Sequence, residues 1–260
     1  MTAAALATDR ALLRISGPDA RDFLQGLVSN DVHRLDAGPL YAALLSPQGK
    51  YLFDFILAAD GADVLLEVAA DRSAALAARL GLYKLRAKVA IAADARSVVT
   101  GTGAPPPGGF ADPRDPGLGW RAYVADPAGL LAGAEPLPPE AQAALRVAHG
   151  VPEAGVELRP DESYILEMGF ERLNGVDFRK GCYVGQEVTA RMKHKTELRK
   201  GLVRVRVEGE APPPGTPILS DGAPAGTLYT TADGRGLAYL RFDRASGALT
   251  AGAARLHREA

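Results

Sequence analysis

The sequence predicts a protein of the α+β class that ends in a small all-β domain, and three observations carry that reading. Residues 40–100 run as three strand-like segments, a helix and two more strands, the local pattern of a helix packed on an antiparallel sheet. Beyond residue 202, short apolar segments recur between Gly and Asp turns, as in a sandwich or barrel. The 29 glycines and 19 prolines imply many turns and argue against an all-helical bundle. At 260 residues the chain holds one large domain or a few small ones, and it can bury a sizeable core without staples.

In chain order, residues 11–16 form a short strand stopped by Gly17-Pro18. Pro18 in the first turn, acids near the start and Gly26 just past the end punctuate a helix between them. Residues 40–45 are apolar, Pro47-Gln48-Gly49-Lys50 turns the chain, and residues 51–58 are apolar and aromatic again. Asp60-Gly61 signals a tight turn before a strand at 64–68, so 40–69 reads as an antiparallel meander. Asp71 or Ser73 can cap a helix carrying Leu76, Leu80 and Tyr83 on one face. Strands follow near 88–92 and 97–100.

Proline-rich breaks at 104–109, 136–139 and 212–214 are loops or linkers, because proline neither donates to a ladder nor sits inside a helix. A helix is expected over 140–149, then a dense segment at 162–192. Val203, Val205 and Val207 next alternate with Arg204 and Arg206, the period of a half-exposed strand. Further strands are expected at 217–219, 226–231, 236–242 and 249–256.

Thirty basic against 31 acidic side chains give a net charge of -1, which argues against wholesale nucleic-acid binding. The charge is uneven, however. Residues 191–206 hold seven Lys and Arg against Glu197, a patch suited to a polyglutamate tail, an RNA or an acidic partner, or to a solvated strand edge. No apolar run approaches the roughly 18 residues that span a bilayer. The N-terminus lacks the basic lead and apolar stretch of a secretory signal, and the lone Cys182 excludes an intrachain disulfide framework. A cytoplasmic protein is therefore expected.

Several familiar sites are missing. Gly101-Thr102-Gly103 runs into prolines and cannot open a dinucleotide-binding helix, and there is no P-loop or nucleophile elbow. His33, His149, His194 and His257 are too scattered for a local zinc motif. One cysteine cannot hold a stable iron–sulfur cluster in cis, so any cluster contact is transient or shared with another thiol.

The most informative stretch is residues 175–191, where Cys182 lies between Gly181 and Gly185 and directly after Arg179 and Lys180. Nearby cations favour a thiolate at a partly exposed cysteine, whereas a lone cysteine in an apolar setting is a small buried hydrophobe. Both readings of Cys182 are open at this level. The run Lys180-Gly181-Cys182-Tyr183-Val184-Gly185-Gln186-Glu187 resembles the signature of the YgfZ family of folate-binding proteins. These are relatives of the glycine cleavage T-protein, an aminomethyltransferase, and are linked to iron–sulfur enzyme maintenance and tRNA modification. Gly17-Pro18-Asp19-Ala20, Asn30-Asp31-Val32, Ser46-Pro47-Gln48-Gly49-Lys50 and Gly150-Val151-Pro152-Glu153 resemble other segments of the superfamily, so the likeness spans nearly the whole chain.

The resemblance implies three lobes around an opening that holds tetrahydrofolate or a derivative. One lobe joins residues 1–38 to 140–195, a ferredoxin-like lobe takes about 39–139, and 196–260 form a β-barrel. It nominates Glu167 for the pterin, with Asn30, Asp31, Tyr183, Gln186, Glu187 and Arg191 as further folate contacts. A carboxylate binds the donor edge of a pterin, while cations suit its glutamate tail. The alternative for Glu167 is a charged residue on a helix face.

Two functions follow from the resemblance. The first is a tetrahydrofolate-binding accessory protein for iron–sulfur cluster assembly or repair, with Cys182 as functional thiol and assembly proteins or client enzymes as partners. The second is folate-dependent one-carbon transfer like that of the T-protein. That protein has an Asp-Asp pair where this chain reads Leu52-Phe53-Asp54-Phe55, so Asp54 is its tentative catalytic residue.

Overall fold

The structure, a computed structural model, describes residues 2–195 and 197–259, except the side chain of Lys195. It opens with β1 (Ala3–Leu6), β2 (Arg10–Ser16), α1 (Ala20–Gln25), β3 (Leu40–Leu45), β4 (Tyr51–Asp60) and β5 (Asp63–Ala69). Next come α2 (Ser73–Tyr83), β6 (Ala90–Asp94), β7 (Ser97–Gly101), β8 (Phe110–Ala111) and β9 (Trp120–Val124). A short α3 (Ala128–Leu131), β10 (Glu135–Pro136), α4 (Pro139–His149) and α5 (Gln186–Lys195) complete the body.

The body has two five-stranded sheets, ordered β3-β4-β5-β2-β6 and β10-β1-β7-β9-β8. The expected meander is present, with β3, β4 and β5 paired antiparallel in sequence order. Strands β1 and β2 lie in different sheets, so the first sixteen residues complete both. The first sheet is buried on both faces. Ala42 and Leu44 face a core with Leu24 of α1 and Leu76 and Leu80 of α2, while Tyr41, Ala43 and Leu45 face a second core with Ile165, Phe170 and Tyr183. Period-two alternation therefore sends successive apolar residues to different cores, which explains the unbroken apolar runs of β3 and β4.

Local signals placed most elements within a residue or two, with informative exceptions. Arg72 is the N-cap residue of α2 and makes no side-chain cap bond, so neither Asp71 nor Ser73 takes that role. Residues 70–72 form a single 3-10 turn instead. Asp19 flanks α1 without capping it, because its carboxylate accepts the backbone N–H of Lys88 at 2.7 Å. That contact, with Gly17 against the Lys88 carbonyl, delays the next strand from residue 88 to Ala90. Helix α4 starts on Pro139 and ends at Gly150, whose φ of +63° provides the left-handed cap.

The C-terminal strands are β11 (Lys200–Glu208), β12 (Thr216–Ser220), β13 (Ala223–Ala232), β14 (Arg235–Arg241), β15 (Leu249–Ala251) and β16 (Ala254–Arg258). The strand expected at 249–256 is a hairpin turned at Gly252, φ +57°. Its second arm pairs back onto β11, Val205 opposite Arg258, and so closes a six-stranded barrel in the order β11-β14-β13-β12-β15-β16. The sandwich alternative is excluded. Val205 and Val207 point into the barrel core and Arg206 into solvent, as the alternation required. Thr196, where the body was expected to give way to the barrel, lies outside the described residues. Among the described residues no helix is long and apolar enough to cross a membrane.

Candidate functional site

A cavity of about 490 Å³ lies between the two sheets and α4. Arg10, Arg114, Arg121 and Arg146 line it, together with Asp54, Asp112 and Glu153 and an apolar wall of Leu118, Trp120 and Leu137. Its charges are organised around Glu67, which sits fully buried in β5 behind the cavity wall. The Glu67 carboxylate accepts from Arg10 Nε at 2.9 Å, from Arg121 Nη1 and from the Tyr123 hydroxyl at 3.1 Å. Asp112 accepts from Arg114 at 2.9 and 2.7 Å and from Arg121 Nε at 2.8 Å. Buried charges need such pairing, and the chain Arg10–Glu67–Arg121–Asp112–Arg114 supplies it with one cation in excess. Burial pushes the Asp112 carboxyl up, but Arg114 and Arg121 outweigh it and hold the group well below the usual carboxylate range.

Asp54 projects from the middle of β4, where alternation with Phe53 and Phe55 turns it away from the first core and into the cavity wall. The Tyr41 hydroxyl donates to its Oδ2 at 2.9 Å and the Tyr51 hydroxyl to its Oδ1 at 2.7 Å. Burial, and after it the Asp54 charge, raises both phenols, which keeps them as donors. The carboxylate is thus fixed in orientation and retains lone pairs for a donor in the cavity. Thr100 also lines the cavity, and its Oγ1 is a buried side-chain oxygen without a partner among the described residues.

The signature loop is a separate feature, since no residue from 155 to 195 lines that cavity. Lys180 Nζ donates to the carbonyls of Gln25 and Val28, both at 2.6 Å, where α1 ends. Burial of that ammonium lowers it to about 8. Gln25 returns the contact, donating to the Lys180 carbonyl at 3.1 Å and to Asp31 at 3.0 Å. On the other side of the cysteine, Tyr183 is buried in the second core, which pushes its phenol up to about 12. Gly185 has φ +82°, and a Cβ there would meet the Ser46 carbonyl oxygen at 2.5 Å. The loop is therefore pinned at 180 and at 183–185, and Cys182 stands exposed between the pins. Lys180 is one of the two cations, with Arg179, that the sequence marks as able to favour a thiolate at Cys182. Its ammonium instead holds the end of α1.

The remaining nominated residues divide by position. Asn30 donates to the carbonyls of Tyr41 and Asn174 at 2.8 and 2.7 Å, while Asp31 caps the following turn through the His33 N–H. Gln186 accepts the Tyr183 N–H at 3.2 Å in the first turn of α5, and Glu187 and Arg191 are exposed on that helix. Glu167 is absent from the cavity wall: its Oε2 accepts the Tyr239 hydroxyl of β14 at 2.5 Å, and its carbonyl accepts the Leu202 N–H at 2.7 Å. Glu157 docks the barrel similarly, accepting from the Thr230 hydroxyl at 2.6 Å. The basic stretch 191–206 is partly neutralised, with Lys193 paired to Glu171 and Arg204 to Glu259, and the Lys195 side chain lies outside the description. Sequence reading missed the Arg10, Glu67, Asp112, Arg114 and Arg121 network. Its legible trace was a charge inside an apolar strand, Glu67 in Val-Leu-Leu-Glu-Val and Arg121 in Trp-Arg-Ala-Tyr-Val.

Two sheets around a cavity lined by paired charges, joined to a closed barrel, define a protein with the glycine cleavage T-protein fold. The solved structure of glycine cleavage system aminomethyltransferase T from Bartonella henselae superimposes with a TM-score of 0.81, covering 99% of this chain and 84% of that one at 16% identity. Residues 199–259 match the family model described as the CAF17 C-terminal beta-barrel domain. Among curated relatives, the mitochondrial iron-sulfur cluster assembly factor IBA57 of Mus musculus is 32% identical, over 92% of this chain and 78% of that protein. The Homo sapiens factor of the same name is also 32% identical with the same coverage. The Phaeosphaeria nodorum homologue is 31% identical over 90% of this chain and 69% of that protein. The chain belongs to the IBA57 family of iron–sulfur cluster assembly factors.

These comparisons bear out the T-protein-like fold and the iron–sulfur link read from the signature, and the relatives carry the name IBA57. They also correct the expected location. The relatives are named as mitochondrial proteins, so the cytoplasmic expectation, drawn from the N-terminus and the single cysteine, does not hold. Neither feature reports on compartment strongly enough to decide it.

Proposed function

We propose that this protein supports iron–sulfur cluster assembly through Cys182, in concert with thiols of a partner protein, and that it binds a reduced folate in the cavity. The observation that carries the first part is the exposed thiol held between the Lys180 and Tyr183–Gly185 anchors. A cluster usually takes four thiolates, so one presented cysteine suits a shared ligand and requires a partner that supplies the rest. The relatives' names, as assembly factors, agree with that role.

The residues present fit a folate, the ligand that the fold family implies. The volume falls within the ordinary range of small-molecule sites, roughly 300–1,000 Å³. Asp54 offers an oriented acceptor to the donor edge of a pterin, Trp120 offers an aromatic wall, and the guanidinium groups on the wall suit the carboxylates of a glutamate tail. Asp54 thereby takes the pterin role first assigned to Glu167. Titration calorimetry with tetrahydrofolate, paired with an assay for methylene-tetrahydrofolate formation, tests the reading. Binding without turnover supports an accessory role, and absence of binding removes the folate part.

A one-carbon transfer activity is the second reading, favoured by the fixed carboxylate of Asp54 facing the cavity. It requires steady turnover that Asp54→Asn abolishes.

A further inference from the structure

We propose that the C-terminal end of α2 and the turn after it, carrying Leu82 and Leu85, form a docking surface for an acidic protein partner. Three large apolar side chains are exposed among the described residues, and two of them are here, Leu82 at 69% and Leu85 at 90%. Leu85 is also in the left-handed region, φ +40°, where glycine or asparagine is the ordinary choice. A leucine that is both strained and solvated gains nothing from either condition in the free protein. Contact with another surface would compensate both, and strain of this kind concentrates at functional sites.

The neighbouring sequence extends the patch. The inner face of α2 buries Leu76 and Leu80, but its outer face is not the charged face of an ordinary surface helix. Ala75, Ala78 and Leu82 are exposed there at helical spacings of three and four, beside Arg79. Around the two leucines stand Lys84, Arg86 and Lys88, all exposed. Among the described residues none of these four cations forms an ion pair, and Asp19 accepts the backbone N–H of Lys88 rather than its ammonium. An apolar centre inside a rim of unpaired positive charge is complementary to an apolar contact inside an acidic rim.

A protein fits this surface better than the two other anionic partners. Nucleic acid has phosphates for the cations but little use for two presented leucines. A membrane would take the leucines, but stable anchoring needs more than a whole myristoyl chain supplies, which two side chains do not approach. The turn is also rigidly placed. Gly17 lies against the Lys88 carbonyl at the entry of α1, while Lys180 holds the exit of the same helix, roughly 9 Å away for its six residues. The docking surface and the Cys182 loop are therefore mounted on opposite ends of one short helix.

The test places a photo-crosslinking amino acid at Gly81, which is exposed and whose Cβ would meet nothing within 4 Å, in the full chain expressed in cells lacking the native copy. The expected result is a protein adduct whose crosslinked peptide is acidic. Its yield should fall at least about tenfold in L82S/L85S and in K84E/R86E, the scale expected for losing a buried leucine from an interface. Leu85→Gly should unfold at the same or a higher temperature, because the strain is relieved, and still crosslink less. Cys182→Ser should keep the adduct, which separates failure of this surface from failure of the thiol reading. An adduct on RNA or lipid, no adduct, or undiminished yield in the variants would overturn the proposal. So would sedimentation with phosphatidylglycerol vesicles that Leu85→Ser abolishes.

Discussion

Lys180 donates its ammonium to the carbonyl of Gln25, and Gln25 donates its side-chain amide to the carbonyl of Lys180. This reciprocal pair joins residues far apart in sequence and sets one end of the loop that presents Cys182. Lys180→Met removes a buried charge but leaves the Gln25 and Val28 carbonyls without their donor. A net loss of about 1–2 kcal/mol is expected in denaturant unfolding. The pH dependence has a definite sign. With a folded value near 8, below the ordinary 10.5, the lysine burdens the fold fully below about pH 8. That burden is relieved as pH rises from about 8 to 10.5, since the unfolded chain then binds more protons. Subtracting the Lys180→Met profile from that of the unaltered protein should reveal this rise; a flat difference would count against the burial of the ammonium.

Gly185 and Gly49 touch across the hairpin turn, and a Cβ on Gly49 would meet Val188 Cβ at 2.7 Å. Gly185→Ala combines left-handed strain with a clash against the Ser46 carbonyl. Thermal unfolding should report a loss of about 2–4 kcal/mol. Gly181→Ala is the comparison: φ is +94° there too, but the space around it is open, so it adds the strain without the clash and costs less.

The buried network makes a prediction about acid. Glu67→Ala leaves Arg10 and Arg121 without their shared carboxylate and should cost about 3–5 kcal/mol. Asp112 has a depressed folded value, so its contribution is fully present above its ordinary 3.8 and is lost progressively as pH falls below that. Asp112→Asn should therefore be less stable at neutral pH, with its deficit shrinking during acid unfolding below about pH 3.8.

Glu167 and Asp54 are distinguished by ligand binding. Asp54→Asn should weaken tetrahydrofolate binding about tenfold, the equivalent of one lost charge-assisted hydrogen bond. Glu167→Gln and Tyr239→Phe should leave that affinity intact while lowering the unfolding temperature, because both act at the barrel contact. The opposite pattern in calorimetry would return the pterin role to Glu167.

Much of this fold was legible because its elements carry local punctuation. Turns such as Pro47–Lys50 and Asp60-Gly61, the alternation of Val203 to Val207 and the Gly150 stop all report their own geometry. The closure of the barrel was not legible, since the pairing of Val205 with Arg258 is set by tertiary packing rather than by either strand alone. The site divides in the same way. Cys182 stood out through its sequence neighbours, whereas the cavity network unites residues from 10 to 121, and a charge inside an apolar strand does not say which partner it meets. The partners of Glu167 and Lys180, the Tyr239 hydroxyl and the carbonyls of Gln25 and Val28, were not legible either, because a sequence segment does not say which way a side chain points.

The central claim is that Cys182 is the working thiol of an iron–sulfur assembly factor. The most direct measurement is iron–sulfur enzyme activity in cells that lack the family member and carry either the unaltered chain or its Cys182→Ala form. Because Cys182 is exposed, the variant should fold with an unchanged unfolding temperature. The unaltered chain is expected to restore activity and Cys182→Ala to restore none; full restoration by Cys182→Ala would contradict the account.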